Sequence, residues 1–241
     1  MDQDDRRSFE FTGSEELRAA EVMENYNRDI ASIFRSAWDK ASRGRDVLDF
    51  GAGIGSITTE FFSQTGVKPI TLEIDKELAE IVRTRGFQVI DRIEAVEAAS
   101  KDLVFSSNVL EHIQDDTRVI KQIFAVLRTG GVFAIYVPAF PSLYTKYDEK
   151  IGHVRRYTRR DLVAKVAAAG FLIEEVSYRD SLGFIAALAF KILAGDRPQA
   201  PSIRQLRAYD KLYPTSRLLD RCGLSKVIGK NLCVIARKPP L

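Results

Sequence analysis

Two cysteines, two histidines, two methionines and one tryptophan are all that 241 residues hold of those types. Cys222 and Cys233 form no CxxC pair, and they make no ligand cluster with His112 and His153, so the spacing offers no metal site. Both cysteines lie near the C-terminus; buried free thiols in a reducing compartment are expected, with a disulfide between them as the alternative. An excess of one charge is also missing. Lys and Arg number 36 against 33 Asp and Glu, a formal charge of +3, which argues against the concentrated basic face that nucleic acid requires. There is no long hydrophobic run: the most apolar window, 182–190, is about half a membrane span, and Lys191 follows it. The opening MDQDDRRSFEF is acidic and polar without an apolar signal core, so a cytoplasmic location is expected.

What is present is alternation. Residues 1–45 carry apolar positions three and four apart among charges (Leu17, Met23, Tyr26, Ile30, Phe34, Ala37), a helical segment. From Asp46 short apolar runs at 47–50, 70–74, 87–90, 103–105 and 132–137 alternate with helical patterns. Runs apolar on both faces fit strands covered by helices on both sides, and their alternation with helices predicts a doubly wound, mostly parallel sheet. A helix is expected over 115–128, stopped by Gly130-Gly131. Another opens at Thr158 with Asp161 three residues on and ends at Gly170. Strands at 171–178 and 232–236 bring the count to seven. Between them 179–230 form a helical insert: an apolar stretch over 182–194 whose pattern suits burial in protein, a linker from Arg197 to Pro201, and a helix over 204–219. The core is thus 46–178 and the last strand 231–241, in one domain. The insert reads as a lid over substrate, with a homodimer contact or a membrane-surface element as alternatives.

The sharpest local signal is Asp49-Phe50-Gly51-Ala52-Gly53-Ile54-Gly55, a strand end running into glycines two apart and then a helix. Such a turn lets a ligand lie on the peptide groups, and the helix N-terminus behind it offers N–H groups to an anion. Dinucleotide enzymes space their glycines G-x-G-x-x-G, and here Ser56 holds the third glycine's slot. Some twenty residues on, the second strand ends in Glu73-Ile74-Asp75. A carboxylate there suits ribose hydroxyls and Ile74 an adenine face. Glu73 is assigned to the ribose and Asp75 to the cap of the next helix, the reverse being the alternative.

At these residues the chain resembles the class I S-adenosylmethionine-dependent methyltransferases. Asp49-x-Gly51-x-Gly53-x-Gly55 matches their first motif and Glu73 their second-strand acid. Asn108-Val109-Leu110-Glu111-His112-Ile113 is similar to the segment after their fourth strand, and Leu127-Arg128-Thr129-Gly130-Gly131 to the turn before their fifth, with Thr129 where proline is usual. The stretch from Tyr136 through Gly152-His153-x-Arg155-Arg156-Tyr157-Thr158 resembles a type-11-like bacterial subfamily acting on glycan, lipid-linked or other small acceptors. The resemblance implies the Rossmann-like methyltransferase fold, S-adenosyl-L-methionine as cofactor and S-adenosyl-L-homocysteine as product. It places the methionine moiety on Asp49 to Gly55, the adenine amino group on Asp91, the cofactor amino group on backbone near Asn108, and Tyr26 over the methionine end. For Tyr26 a core aromatic is the equal alternative.

Methyl transfer needs mainly an acceptor held about 3 Å from the methyl carbon in line with the departing sulfur, and a base only where the acceptor keeps its proton. The acceptor-side candidates are His153, Tyr157 and Asp148 in the loop after the fifth strand; a structural His153 is the even alternative. His112 reads as a fold contact. Arg155, Arg156, Arg159 and Arg160 form an anion-site candidate or a solvated face. Two other functions remain open from sequence: a cofactor-binding scaffold without catalysis, and a nicotinamide-dependent oxidoreductase. The glycine spacing and the lack of a Tyr-x-x-x-Lys dyad disfavour the second. The acceptor atom is not written in the sequence.

Overall fold

The structure, a computed structural model, describes residues 17–19, 21–41, 43–194 and 200–240. Positions 197–199 of the expected linker and the first sixteen residues of the expected N-terminal helical segment lie outside them. Helix α1 (Glu24–Lys40) precedes strand β1 (Val47–Phe50), α2 (Ser56–Thr65), β2 (Ile70–Leu72), α3 (Lys76–Thr84), β3 (Gln88–Ile90) and β4 (Lys101–Ser107). Then follow α4 (Asp116–Val126), β5 (Leu127–Pro138), the short α5 (Lys146–Lys150), α6 (Arg159–Ala168), β6 (Leu172–Arg179), α7 (Ser181–Ala194), α8 (Ile203–Arg221) and β7 (Asn231–Arg237).

The seven strands form one sheet in the order β3-β2-β1-β4-β5-β7-β6. Pairs from β3 to β5 are parallel, while β7 runs antiparallel to both β5 and β6. Alternate side chains of the central strands enter opposite cores. Leu48, Val104, Phe133 and Ile135 meet α4 and α6 through Ile120, Ile123, Leu162 and Val166. Val47, Leu103, Phe105, Ala134 and Tyr136 meet α1 through Ile30, Phe34 and Ala37, with Phe61 of α2 and Tyr213 of α8. Strands buried on both faces explain the near-continuous apolar runs.

Four expectations need correcting. Helix α4 stops at Val126, and β5 begins at Leu127 and carries the glycine pair inside it. The pairing with β4 jumps from Lys101↔Leu127 to Leu103↔Val132, so Arg128 to Gly131 bulge out, with Gly130 at φ +81°. A bulge absorbs residues that a periodicity reading takes for a turn. The apolar stretch of α7 is not wholly buried, for Ile185, Leu188, Phe190 and Ile192 are exposed, Ile192 by 71%. Of the two free cysteines only Cys233 is buried; Cys222 is exposed. The Arg155–Arg156 pair is not free for an anion, because Arg155 is bound to Asp116 and Arg156 to Asp148.

Helix α8 packs against α1 and α7. Met23 gives α1 no side-chain cap; Asp210 of α8 supplies it from 185 residues away, accepting the N–H of Asn25 at 3.1 Å and that of Tyr26 at 3.0 Å. Farther along, Tyr213 and Arg217 bind Asp29 of α1 at 2.9 and 2.7 Å. The insert is thereby tied to the helix that starts the fold. Replacing Asp210 by Ala removes a helix cap and strands buried donors, and should cost about 2 kcal/mol in urea denaturation; a change below about 0.5 kcal/mol would show that the tie carries no load.

Candidate active site

The β1 strand ends against a turn in which Gly51, Gly53 and Gly55 all have left-handed φ, at +81°, +57° and +79°. At Gly51 a Cβ would lie 2.3 Å from a methyl of Val109, so only glycine lets the loop after β4 close onto the turn. The N–H groups of Gly51 and Ala52 donate to the Leu72 carbonyl at 2.9 and 3.0 Å, joining the turn to the end of β2. There Glu73 takes the Gly53 N–H on Oε2 at 2.7 Å and the Asp75 N–H on Oε1 at 2.9 Å. Burial raises its pKa, and those backbone donors pull it partly back. Asp75 caps α3, accepting from Glu77 and Leu78, which settles the choice between the two acids for the cap.

Asp49 is buried beneath the turn and accepts the Thr58 hydroxyl at 2.5 Å. Burial pushes its carboxyl up to about 7, Thr58 opposing and Glu73 adding to the rise. Ser56, at the first position of α2, and Ser106 of β4 each bury a hydroxyl with no hydrogen-bond partner. Ile74 is half exposed beside Glu73. The donor set here is therefore two carboxylates, an orphaned hydroxyl, an exposed apolar side chain and the N-terminus of α2. It fits a nucleoside carrying a positively charged amino-acid tail.

The remaining cofactor candidates are spread along the same edge. Asn108 adopts φ +54° and its N–H donates to Tyr136 at 2.7 Å, which holds the turn after β4 beside β5. Ala52 is partly exposed on the turn, whereas the Phe50 side chain belongs to the core, leaving only its backbone for a ligand. Asp91 stands at the end of β3 with its side chain 80% exposed and Arg92 4.0 Å away. Tyr26 sits in an aromatic cluster with Tyr136 and Tyr213, its hydroxyl taking a hydrogen bond from Asn231 at 3.2 Å. That is the core-aromatic alternative.

The loop after β5 returns to the same edge. The N–H of Val154 donates to the Glu111 carbonyl at 2.8 Å, and Tyr157 pairs with Pro138 and Phe140 through the backbone. His153 is thus laid beside the turn that carries Glu111 and His112. Its Nδ1 lies 2.8 Å from Asp148, which also binds Arg156 at 2.8 Å. Against the cost of burial, His153 and Arg156 hold Asp148 down to about 2. It stays ionised and orients His153; it does not take a proton itself.

Tyr157 is corrected as a catalytic group. It is fully buried, its hydroxyl donates to Asp116 at 2.7 Å, and burial next to that carboxylate raises its pKa. Sequence reasoning also missed a residue. Glu111 is fully buried, and its carboxylate oxygens have no hydrogen-bond partner from another side chain or backbone group among the described residues. Burial pushes it up to about 7, although His153 and Arg156 pull the other way. His112 lies edge-on to His153 at 4.7 Å between ring centres, and burial with its neighbour lowers it to about 4. Glu111, His112 and His153 bring one ligand atom each within 4.8 Å of the others, a grouping that residue spacing along the chain did not show.

Comparison with known proteins identifies the family and the fold. The sequence pattern of the family described as "Methyltransferase domain" matches residues 22–176. A Mycolicibacterium smegmatis protein named "Probable S-adenosylmethionine-dependent methyltransferase" is 30% identical over 139 residues, which are 55% of this chain and 54% of that one. A ubiquinone biosynthesis O-methyltransferase of Xanthomonas axonopodis pv. citri is 27% identical over 56% of this chain and 65% of its own length. The match thus spans between about half and two thirds of these relatives. The crystal structure of a SAM dependent methyltransferase from Archaeoglobus fulgidus superposes with a TM-score of 0.59 at 14% identity, over 88% of this chain and 94% of that one, a likeness of fold.

The raised Asp49 carboxyl makes a pH prediction. In the unfolded chain Asp49 ionises near 4, in the folded one near 7. Between these values the folded state holds the extra proton, so this group's contribution to stability falls as pH rises from about 4 to about 7. The Asp49→Asn variant lacks this loss. Its stability relative to the parent should rise by on the order of 2 kcal/mol between pH 5 and 8 in urea titrations. Parallel curves would contradict the buried-charge assignment.

Proposed function

The chain belongs to the S-adenosylmethionine-dependent methyltransferases, and from that premise we propose that it transfers a methyl group to a small or lipid-linked acceptor at the carboxyl edge of its sheet. The observation that carries the reading is the left-handed glycine turn at the end of β1, tied through the Gly53 N–H to Glu73 at the end of β2. The cofactor supplies a methyl group on a sulfonium, a good leaving group for in-line displacement. The protein's work is therefore to bind, orient and exclude water.

In this reading Glu73 takes the ribose hydroxyls, Ile74 lies against the adenine and Asp91 receives its amino group. Gly51 to Gly55 cradle the amino-acid tail, with the Asp49 carboxyl fixed beneath the turn by Thr58. The Asn108 backbone accepts from the amino group. The orphaned Ser56 and Ser106 hydroxyls support ligand contact at the same edge.

At the acceptor end His153 is the polar group. Asp148 occupies its Nδ1 and leaves the Nε2 lone pair on the side of Glu111. A hydroxyl or ammonium acceptor is received there.

Several contacts support a cover over this site built from α7. Phe184 packs on Phe140 at 5.1 Å, and the Lys191 ammonium donates to the Ser142 and Tyr144 carbonyls at 2.6 and 2.9 Å. The exposed Ile185, Leu188, Phe190 and Ile192 on that helix suit an acceptor with a hydrocarbon part. The ubiquinone-related name of one relative is compatible with such an acceptor. Among the described residues no helix is long and apolar enough to cross a membrane.

Calorimetric titration with S-adenosylhomocysteine tests the reading. Micromolar binding that weakens at least tenfold in Glu73→Ala is expected, since about 1.4 kcal/mol or more of charge-assisted hydrogen bonding is lost. Absence of binding by the folded parent, or tight binding of a nicotinamide dinucleotide instead, would remove it.

A further inference from the structure

We propose that Glu111, His112 and His153 form a binding site for one divalent transition-metal cation of the zinc class, placed at the acceptor end of the cleft. The inference rests on the methyltransferase reading for its role but on separate residues for its existence.

Three observations converge. The first is the bare carboxylate. Glu111 is completely buried, and among the described residues neither oxygen has a hydrogen-bond partner from another residue. A buried carboxylate with no donor beyond its own backbone is costly unless it pairs with a charge or coordinates a metal. The Nε2 of His153 stands 3.7 Å from its Oε1, too long for a hydrogen bond. That gap is the length of a coordination edge. Two ligand atoms each about 2.1 Å from a tetrahedral cation stand about 3.4 Å apart.

The second observation is how the imidazoles are held. His153 has its Nδ1 on Asp148 at 2.8 Å, and His112 is hydrogen-bonded to the Gly152 backbone. Histidines that bind metals give one ring nitrogen to a carboxylate or a backbone carbonyl, which fixes the tautomer and aims the other nitrogen at the ion. Both kinds of partner occur here, Asp148 of α5 for His153 and the Gly152 backbone for His112.

The third is placement. The ligand atoms lie within 4.8 Å of one another, so the longest edge closes by at most roughly 1.4 Å on tetrahedral coordination. Side-chain rotation covers that distance. Val109, two residues before Glu111, packs on Gly51 of the glycine turn, so the cluster and the turn share one loop.

Two imidazoles and one carboxylate leave a fourth position open, as in metal sites that bind substrate. An acceptor oxygen fits that position. The substrate class narrows to acceptors carrying a hydroxyl that a cation can bind and make more acidic. With the cation present, the His153 Nε2 is a ligand rather than a proton acceptor.

The test is titration of the untagged, chelator-treated full chain with Zn²⁺ and, for spectra, with Co²⁺. One equivalent of zinc bound at micromolar or tighter affinity is expected. Visible cobalt bands should appear without the near-ultraviolet thiolate band that a cysteine site gives. Glu111→Gln and His153→Gln should each weaken zinc binding at least tenfold, while Cys222→Ser should not change it. Absence of stoichiometric uptake, equal uptake by both ligand variants, or a thiolate band that vanishes in Cys222→Ser would each overturn the inference. If a ligand variant does not fold, the cobalt spectrum of the parent decides alone. S-adenosylhomocysteine binding by the same parent preparation separates the two readings. Cofactor binding without metal uptake removes only the cation, and loss of cofactor binding removes the methyltransferase reading itself.

Discussion

The proposed acceptor half of this protein depends on one uncomfortable placement, the Glu111 carboxylate held out of water with no donor from another of the described residues. A chain under selection for stability alone removes such a group, because a buried polar group short of hydrogen-bond partners is costly. The fold instead builds around it. The loop after β5 is drawn back by the Val154 N–H on the Glu111 carbonyl, Asp148 and Arg156 fix His153 beside it, and Tyr157 locks the loop's far end onto Asp116. Burial that raises Glu111 also depresses His112, so the two neighbours are driven toward neutral forms by one cause. The pattern of opposed shifts at the edge of a parallel sheet marks a functional site more than a stabilising network.

The cofactor half follows a different logic. Its carboxylates are satisfied, Glu73 by two backbone N–H groups and Asp49 by Thr58. The carboxyl groups are thus held in fixed geometry before any ligand arrives, which lowers the cost of ordering on binding. Val109 against Gly51 joins the halves. Any side chain at Gly51 would push apart the loop that carries Glu111, so the glycine serves the acceptor end as well as the cofactor end.

How much of this the sequence discloses depends on the range of the interactions. The strands, the glycine turn and the caps at Asp75 and Thr158 are set within a few residues, and local pattern finds them. The glycine pair at 130–131 is misread because a bulge and a turn share the same composition; only the partner strand β4 distinguishes them. The exposed half of α7 is misread for a similar reason, since apolar content does not say which face finds a neighbour. Tyr157 looks reactive in a loop rich in polar residues, yet the register of Ala139 with Tyr157 turns it inward. Glu111 and His153 are 42 positions apart, and their meeting depends on how β5 and its loop fold back. No spacing rule for metal or catalytic residues covers that distance. A signal was nonetheless present: Glu111-His112 occurs where a turn leaves the carboxyl end of the central strand β4, the edge where open sheets bind ligands.

The proposed cofactor cradle at β1 and β2 and the proposed acceptor site at β4 and β5 share one edge, which fixes the direction in which a cofactor must lie. A crystal structure of the full chain with S-adenosylhomocysteine tests it most directly. The ribose is expected on Glu73, the amino-acid tail on the Gly51–Gly55 turn, and the sulfur facing the space beside Glu111 and His153. A cofactor bound with its sulfur turned away from that cluster, or seated elsewhere on the sheet, would contradict it.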